Sequence, residues 1–331
     1  MQRPTIRDVA REAGVSVSTV SRVFTRPQLF RDETRLKVHA AAAALNYSPN
    51  RNAASLTTGK TANIGLVVPN LANPFFPEMV KAAQHSAREH GLAALLADSD
   101  DSAADEEKLL HTLAKDVDGL IVFSSLLRAE QIAGIGPLGP IVFVNRNVPG
   151  HRSVLVDAPH GMTLLTQYLR NLGHTSALYL PGPENSWVAH DRLGALAEAA
   201  ETAGLALEVG PMGPGTFETG SAVAEQLVRK PLPSVVMCFN DVMALGVVAR
   251  LLQLGVRIPE QISVTGWGGT KTASYSTPAV TTLAAPLAEM GTAALEQLLL
   301  AEHDPQDSEI SPIRLEATLA ARATTGRARE A

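Results

Sequence analysis

The segment TIRDVAREAGVSVSTVSR, residues 5–22, predicts two short helices joined by a tight turn. Thr5 and Asp8 have the spacing of a helix-capping box, and Gly14 suits the left-handed conformation that often ends a helix. Ser16 is a typical N-cap for the second helix. Two helices joined by a glycine-containing turn form the helix-turn-helix layout, in which the second helix enters the major groove of DNA.

The second predicted helix has two different faces. Val20 and Val23 lie three residues apart and are expected to face a core. The outer face is then formed by Val17, Ser18, Ser21 and Arg22. An ordinary helical hairpin inside a core is the alternative interpretation of this segment.

Charge is distributed unevenly along the 331 residues, and this weighs against the hairpin interpretation. Residues 1–60 carry ten Lys/Arg and four Asp/Glu, a net charge of +6, whereas residues 61–331 carry −11. A small basic segment attached to a larger acidic body is typical of a phosphate-binding module joined to a second domain. The acidic body would be repelled by DNA, so the contact is expected to be confined to the basic segment.

Length and composition predict two or three domains without a membrane span. Hydrophobic residues make up 45% of the chain, yet no run of about 18 apolar residues occurs. The N-terminus has no apolar signal segment, so a cytoplasmic location is expected. The single cysteine, Cys238, excludes an internal disulfide and is expected to be a buried small hydrophobe.

A third helix over about 33–45, capped by Asp32, is predicted to complete the N-terminal domain. We expect four residues of this helix to pack in a three-helix core, namely Leu36, Ala40, Ala43 and Leu45.

The segment NRNAASLTTGK, residues 50–60, is predicted to be a linker with one marginal helical turn. Ala53, Ala54 and Leu56 suit such a turn, but they are too few to stabilise it alone. One hypothesis is a short helix that forms on DNA, with Leu56 as an apolar wedge in the minor groove. The other is a disordered tether.

From Asn63 onward, β-branched segments alternate with helical ones. The predicted strands are IGLVVP (64–69), GLAALLAD (91–98), DGLIVFSS (118–125), IVFVNRN (141–147), SVLVD (153–157), SALYLPG (176–182), SVVMCFN (234–240) and ISVTGWG (262–268). This alternation predicts an α/β body of parallel, doubly wound sheets. The strands fall into two sets, and ligands bind beyond the carboxyl ends of such strands, so we expect a cleft between two lobes.

The loops after these strands carry polar and aromatic side chains. Of the 14 aromatic residues in the chain, five lie in these loops: Phe75, Phe76, Trp187, Phe217 and Trp267. The polar candidates are Asn70, Ser124, Asn145, Arg146, Arg192, Asn240 and Asp241. Flat rings beside amide, carboxylate and guanidinium groups suit a sugar or another small polar ring. For Phe76, a loop anchor in the core is an equally good interpretation.

The sequence carries no motif of a nucleotide-dependent enzyme. It contains no G-x-x-x-x-G-K segment and no G-x-G-x-x-G after the first strand, and the nine histidines have no metal-ligand spacing. We therefore expect a protein that is not an enzyme and that needs neither a cofactor nor a metal.

Residues 3 to about 325 resemble the bacterial lac-repressor/galactose-repressor family of transcription regulators. The resemblance rests on TIRDVAREAGVSVSTVSRVF, ETRLKVHAAAAALNYSPN, IGLVVPNLANPFFPEMV, DGLIVFSS, GHTSALYLPGP, DRLGAL, NDVMALG, STPAVTTL and PLAEMG. It implies a helix-turn-helix head, a hinge helix and a two-lobed body like the type I periplasmic sugar-binding proteins. It also implies a homodimer that represses from a near-palindromic operator and responds to a sugar-like effector in the cleft. The body alone would also suit a solute-binding carrier protein without a transcriptional role.

The resemblance also implies roles for residues of the head and hinge. Val17, Ser18 and Arg22 match base-reading positions, and the Arg22 guanidinium suits a bidentate contact with guanine. Matches to backbone-contacting or hinge positions are found at Thr5, Ser16, Ser21, Asn50, Ala53 and Leu56.

In the body, Arg192 of DRLGAL matches the ligand-clamping arginine of the family. Asp241 of NDVMALG matches the carboxylate opposite it, with Asn240 beside it, and Phe75 and Phe76 match ring-packing positions.

Three segments depart from the family pattern. Trp267-Gly268-Gly269 stands where an aromatic residue is commonly followed by acids, and Asn145-Arg146 stands where Asp-Arg is common. The hinge AASL, residues 53–56, lacks the usual arginine. The cleft changes imply either an effector other than an ordinary hexose or a stacking role for Trp267. The C-terminal segment GRAREA has no apolar heptads, so no tetramerising helix is expected.

The expected domains are a helix-turn-helix domain at 1–48, a hinge at 49–60 and an effector-binding, dimerising body at 61–331. Within the body, the N-lobe is expected over about 61–158 with 286–318, and the C-lobe over about 159–285 with 319–327.

Overall fold

The computed structural model describes residues 4–25, 27–47, 60–135, 138–303 and 311–329. The chain divides into two units, residues 1–63 with 116–118, and residues 64–115 with 119–331. We call the helical part of the first unit, residues 4–47, the head, and the second unit the body.

The head is built from helices whose ends are fixed by local hydrogen bonds. Its helices are α1 Ile6–Ala13, α2 Val17–Thr25 and α3 Asp32–Ala44, with a 3₁₀ turn at Pro27–Leu29. At the start of α1, the Asp8 carboxylate accepts from the backbone N–H of Thr5 at 2.9 Å and from its hydroxyl at 2.7 Å. Gly14 ends α1 with φ +66°, and the backbone N–H of Thr19 donates to Ser16 Oγ at 3.1 Å, which caps α2.

The core of the head confirms the expected inner face of α2 and corrects that of α3. The buried residues are Val9, Ala10, Val20, Val23, Val38, Ala41 and Ala42. Leu36 is 70% exposed, and Ala40 and Ala43 are also exposed, so the prediction for these three positions was wrong. The alanine run gives no polarity contrast, and the buried stripe is instead formed by Val38, Ala41 and Ala42.

The body contains two lobes, each with a six-stranded sheet. The strands are β1 Asn63–Val68, β2 Ala93–Asp98, β3 Gly119–Phe123, β4 Ile141–Val144, β5 Arg152–Val156, β6 Ser176–Leu180, β7 Ala206–Val209, β8 Val235–Cys238, β9 Ser263–Gly268, β10 Thr281–Ala284, β11 Ile313–Leu315 and β12 Thr318–Ala320. The helices are α4 Phe76–Glu89, α5 Ala103–Leu113, α6 Ala129–Gly134, α7 Ala158–Asn171, α8 Trp187–Ala203, α9 Phe217–Leu227, α10 Asp241–Gln253, α11 Lys271–Tyr275 and α12 Leu287–His303.

The strand order in the N-lobe is β11-β5-β4-β3-β1-β2, and in the C-lobe it is β12-β10-β9-β8-β6-β7. Neighbouring strands from β11 to β1 and from β10 to β7 are parallel, whereas β12 is antiparallel to β10. The prediction of an α-helical head and a two-lobed α/β body is confirmed. The chain passes between the lobes three times, after β5, after β10 and between β11 and β12.

Several short elements were not predicted from the sequence. They are β7, β10, β11, β12, α6, α11 and the longer α12. Strands β11 and β12 have three residues each, which is too short for a periodic pattern, and they lie at the sheet edges. No helix in the described part of the chain is long and apolar enough to cross a membrane.

Two glycines let α9 and α10 pack at very short range. A Cβ at Gly246 of α10 would overlap the backbone of Phe217, and a Cβ at Gly220 of α9 would overlap the backbone of Met243. This contact fixes the first residue of α9 against α10, and it therefore positions the Phe217 side chain described below.

Candidate functional site

The outer face of α2 carries the residues predicted to contact DNA bases. Val17 is 41% exposed, and Ser18 and Arg22 are also exposed. Ser21, which is half-buried, lies one helical turn after Val17 on the same face. The structure thus brings these four side chains together on one exposed surface.

Arg22 differs from Arg11 and Arg35, two other arginines of the head. Arg11 lies 3.6 Å from Asp8, and Arg35 lies 2.7 Å from Asp32, each as an ion pair. Arg22 forms no such pair with any residue that the structure describes. Its charge is therefore available to an external partner.

The predicted backbone-contacting residues have local hydrogen bonds. The Thr5 hydroxyl donates to Asp8, and Ser16 Oγ lies 2.8 Å from both Ser18 Oγ and Thr19 Oγ1. The predictions for Asn50, Ala53 and Leu56 fall outside the described residues.

A cavity of about 640 Å³ lies at the carboxyl ends of strands from both lobes of the body. Nine of the twelve predicted effector residues line it, namely Asn70, Phe75, Phe76, Ser124, Asn145, Arg192, Phe217, Asn240 and Trp267. This volume lies within the range of small-molecule sites. Arg146, Trp187 and Asp241 are not among the lining residues.

Arg192 is the deepest charged side chain in the cavity wall. It lies on α8 and is only 4% exposed. Its Nη1 donates to the carbonyl oxygen of Phe239 at 2.8 Å, and its Cζ lies 4.4 Å from the Trp267 ring centroid and 4.9 Å from that of Phe239. Burial lowers the pKa of Arg192 to about 10, so the guanidinium stays charged at neutral pH. The two rings favour that charge through cation–π contacts.

Aromatic rings from both lobes border the same cavity. Phe75 and Phe76 pack edge to face, with ring centroids 5.4 Å apart, and both also belong to the hydrophobic core of the body. Trp267 is 3% exposed, and its Nε1 has no hydrogen-bond partner within the described residues. Phe76 therefore both lines the cavity and anchors its loop in the core.

The N-lobe wall is shaped by two residues with left-handed backbones. Ser124 follows β3 with φ +44°, and Asn145 follows β4 with φ +60°. Asn145 Nδ2 donates to Ser124 Oγ at 2.9 Å, which joins the two strand ends. Asparagine tolerates this backbone region better than most side chains do.

A buried ionic cluster supports this wall from behind. The Glu106 carboxylate accepts from the Ser125 hydroxyl and from the backbone N–H of Leu126, and Arg146 Nη1 donates to the Ser125 carbonyl at 2.7 Å. Burial raises the pKa of Glu106 and lowers that of Arg146, and the opposite charge of each partner counteracts both shifts. Arg146 is thus placed behind the cavity wall because it binds the strand ends.

Asp241 is held within the C-lobe instead of facing the cavity. Its Oδ2 accepts from the backbone N–H of Thr270 at 2.7 Å and from the Thr270 hydroxyl at 2.9 Å. Its Oδ1 accepts from the Thr282 hydroxyl at 2.6 Å, and the residue is 1% exposed. Burial raises the pKa of Asp241, and hydrogen bonds from Thr282 and Thr270 oppose that change. Both oxygens are therefore occupied by the fold.

Sequence reasoning missed Phe239, which lines the cavity and stacks on Arg192. The sequence pattern predicts a strand over the whole of SVVMCFN, whereas β8 ends at Cys238 and the next residue lines the cavity. Its position directly before Asn240, at a strand end, was the available signal. Trp187, which the sequence did suggest as a cavity residue, is half-buried at the start of α8 and is not among the lining residues.

The described residues contain no group of three or more His, Cys, Asp or Glu side chains arranged to hold a metal ion. The lining of the cavity offers hydrogen-bonding groups, aromatic rings and one buried guanidinium.

Two family models match the chain. Residues 5–50 match "Bacterial regulatory proteins, lacI family", and residues 166–325 match "Periplasmic binding protein-like domain". These matches cover the head and most of the C-lobe.

Relatives of known function match over nearly the whole length. The HTH-type transcriptional repressor PurR of Proteus mirabilis (strain HI4320) is 32% identical, over 93% of this chain and 94% of its own. The ribose operon repressor of Escherichia coli (strain K12) is 33% identical, over 94% of this chain and 98% of its own.

Solved structures show the same architecture. The Lac repressor dimer bound to operator and the anti-inducer ONPF is 27% identical, with a TM-score of 0.86 over 98% of this chain and 100% of its own. The complex of the transcriptional regulator CelR with cellobiose is 28% identical, with a TM-score of 0.71 over 97% of this chain and 100% of its own. The chain therefore belongs to the lacI family of bacterial regulatory proteins.

Proposed function

We infer that this protein is a DNA-binding transcriptional repressor whose affinity for its operator is controlled by a small carbohydrate-like effector. The observation that carries this conclusion is the presence, in one chain, of an exposed recognition-helix face on the head and a ligand-sized cavity in the body. A carrier protein would need the cavity but not the head, and the relatives named above are repressors rather than carriers or enzymes.

On the DNA side, we propose that α2 enters the major groove. Val17 and Ser18 would contact base edges, and Arg22 would pair with guanine through two parallel hydrogen bonds. Backbone contacts would come from Thr5, Ser16, Ser21 and Asn50, and hinge contacts from Ala53 and Leu56. Because phosphate contacts carry no sequence information, much of the operator choice falls to Arg22, to the Leu56 wedge and to the half-site spacing.

We propose the domain limits stated above, with a helix-turn-helix domain at 1–48, a hinge at 49–60 and an effector-binding body at 61–331. In this arrangement the hinge transmits changes in the relative orientation of the two lobes to the head. A cytoplasmic location follows from the proposed contact with the operator.

On the effector side, we propose that a ligand in the cavity contacts both walls at once. Ser124 and Asn145 belong to the N-lobe wall, whereas Arg192, Asn240 and Trp267 belong to the C-lobe wall. A ligand that binds better to one relative orientation of the lobes shifts the population toward it. Ligand binding then changes the affinity for the operator, and operator binding changes the affinity for the ligand by the same factor.

The proposed effector class is supported by the cavity and by two relatives. Its rings and polar groups suit the apolar face and hydroxyl rim of a sugar. One similar protein is named a ribose operon repressor, and a similar structure contains cellobiose.

We propose that the protein acts as a homodimer, as the Lac repressor does in the structure named above. Two pairs of exposed apolar side chains would form the interface. They are Leu252 and Tyr275 in the C-lobe and Leu95 and Leu96 in the N-lobe, and Tyr275 is 76% exposed. A symmetric dimer would place two heads on the two half-sites of a palindrome.

Replacing Tyr275 by glutamate is expected to shift the protein toward the monomer, because the new charge would be desolvated in the interface. Sedimentation velocity over a concentration series measures the change. Val209→Glu is a matched control, because Val209 is also exposed in the C-lobe but lies on the edge strand β7. If both variants dimerise like the unmodified protein, Tyr275 lies outside the interface.

The function itself can be tested by selecting DNA from a random double-stranded library with the full-length protein. We expect a near-palindromic consensus, followed by a change in its affinity when sugars are titrated in a fluorescence-anisotropy assay. Recovery of DNA without any shared sequence would contradict the proposal.

A further inference from the structure

We propose that the effector is a carbohydrate bearing a carboxylate, such as a sugar acid, whose carboxylate binds Arg192 and whose hydroxyls bind the N-lobe wall. This inference depends on the proposed role of the cavity as the effector site. It is carried by the distribution of charged groups around that cavity.

The inner part of the cavity has one charged side chain. Among the described residues that line it, Arg192 is the only basic one and is buried. The acidic lining residues are Asp101, Glu184 and Glu218, and all three are exposed. Water screens these exposed carboxylates, and Asp101 already accepts from Asn70 Nδ2 at 2.8 Å. The deep positive charge therefore has no buried acidic counterpart among the described lining residues.

The Arg192 guanidinium retains donors for a ligand. Of its five N–H groups, the hydrogen bond to the Phe239 carbonyl uses one, and the described residues supply no other acceptor. Tyr179, Asp191 and Asp241 favour its charged form from a distance, and none of them accepts a hydrogen bond from it. With two aromatic rings against it, the guanidinium is partly desolvated, which strengthens a hydrogen-bonded pair with a carboxylate.

The inner part of the cavity offers no carboxylate to the hydroxyls of a neutral sugar, because the three acidic lining residues are all exposed. Both Asp241 oxygens are occupied by Thr270 and Thr282. Gly268 and Gly269 follow Trp267 without side chains, and Asn145 presents an amide. A neutral ligand would therefore leave the Arg192 donors without a charged acceptor, and a carboxylate on the ligand supplies one.

The N-lobe wall suits the other end of such a ligand. Asn145 Nδ2 donates to Ser124 Oγ, which leaves the Asn145 amide oxygen as an acceptor and the Ser124 hydroxyl hydrogen as a donor. A neutral hydroxyl group matches that pair, because it both donates and accepts. The apolar ring face would lie against Phe75 or Trp267, which also line the cavity.

Calorimetric titration of the full-length protein with matched pairs tests the proposal. The pairs are D-glucuronate with D-glucose, D-galacturonate with D-galactose, D-gluconate with D-glucitol, and D-ribonate with D-ribose. We expect at least one acid to bind at least tenfold more tightly than its neutral partner. Binding of a neutral sugar as tightly as its acid, or binding of no acid in the set, would overturn the proposal.

Two variants locate the charge that is recognised. Arg192→Lys retains the positive charge but loses the planar fork, so the affinity for the acid is expected to fall at least tenfold. Asn145→Asp is nearly isosteric, tolerates the φ of +60°, and adds a negative charge to the cavity. It is also expected to weaken acid binding at least tenfold, and by a larger factor than it changes binding of the neutral partner. Unchanged or tighter acid binding by Asn145→Asp would refute the proposal, and the melting temperature of each variant checks its folding.

Operator binding separates this inference from the function on which it rests. A protein that selects an operator and responds to a neutral sugar, but not to an acid, is a carbohydrate-responsive repressor with a different ligand class. A protein that selects no DNA sequence fails as a repressor whatever its cavity binds.

Discussion

Replacing Arg22 by alanine is expected to remove most of the operator selectivity and to leave the fold unchanged. Arg22 is exposed on α2 and is not part of the head core, so its removal creates no cavity. A bidentate arginine–guanine pair contributes about 1–3 kcal/mol of discrimination against a wrong base. Two heads on a palindromic site would each lose this contribution, so the total loss is about 2–6 kcal/mol. The preference for the operator over other DNA would then fall by a factor of about 30 to 20,000.

The measurement compares the affinity for the selected operator with that for a scrambled duplex at one salt concentration. Arg11→Ala is the matched control, because Arg11 is exposed on α1 and paired with Asp8. The Arg11→Ala change should lower the affinity for both duplexes by the same factor, as removal of a contact to phosphate does. If Arg22→Ala kept the full preference for the operator, base recognition would belong to other residues.

Replacing Asp241 by alanine is expected to destabilise the body by about 3 kcal/mol or more. The change leaves the Thr270 N–H and the Thr270 and Thr282 hydroxyls without their acceptor, and each buried donor left unsatisfied costs about 1–3 kcal/mol. Urea unfolding followed by circular dichroism measures the loss. Because Asp241 joins the start of α10 to β10 and to the loop after β9, effector affinity should fall with stability.

Asp191→Ala is the control for this change. Asp191 is a half-buried carboxylate in the same lobe, and the structure shows no hydrogen bond to it from the described residues. Its removal should cost much less stability. If Asp241→Ala were as stable as the unmodified protein yet unresponsive to ligand, Asp241 would contact the effector directly, as its place in the family pattern implies.

The parts of the fold with strong local signals were predictable from the sequence. Thr5, Gly14 and Ser16 have conformational preferences that fix the ends of α1 and α2, and the structure places each at a helix end. The aliphatic strands of the body were also identified, because continuous β-branched runs contrast with the loops between them. The core face of α3 could not be predicted from the sequence, since its five consecutive alanines give no contrast between the buried and exposed sides.

The cavity could be predicted in outline, because parallel strands bring their carboxyl-terminal loops to one edge of each sheet. The sequence could not show which polar groups remain available to a ligand. Arg192 and Asp241 both looked like ligand contacts, but Thr270 and Thr282 occupy the carboxylate of Asp241. That distinction depends on residues 29 and 41 positions away along the chain. Local sequence patterns do not report such contacts.

The three connections between the lobes have a mechanical consequence. A single covalent connection would let one lobe swivel about it in any direction, whereas three connections at separate points constrain torsion. Bending about the line through them is then the least hindered motion. Two of the three adjoin short strands, β10 and the β11–β12 pair, so bending strain would reach the hydrogen-bonded ladders of both sheets. We therefore expect the two lobes to move mainly by bending about this line, which is the motion that ligand binding would drive.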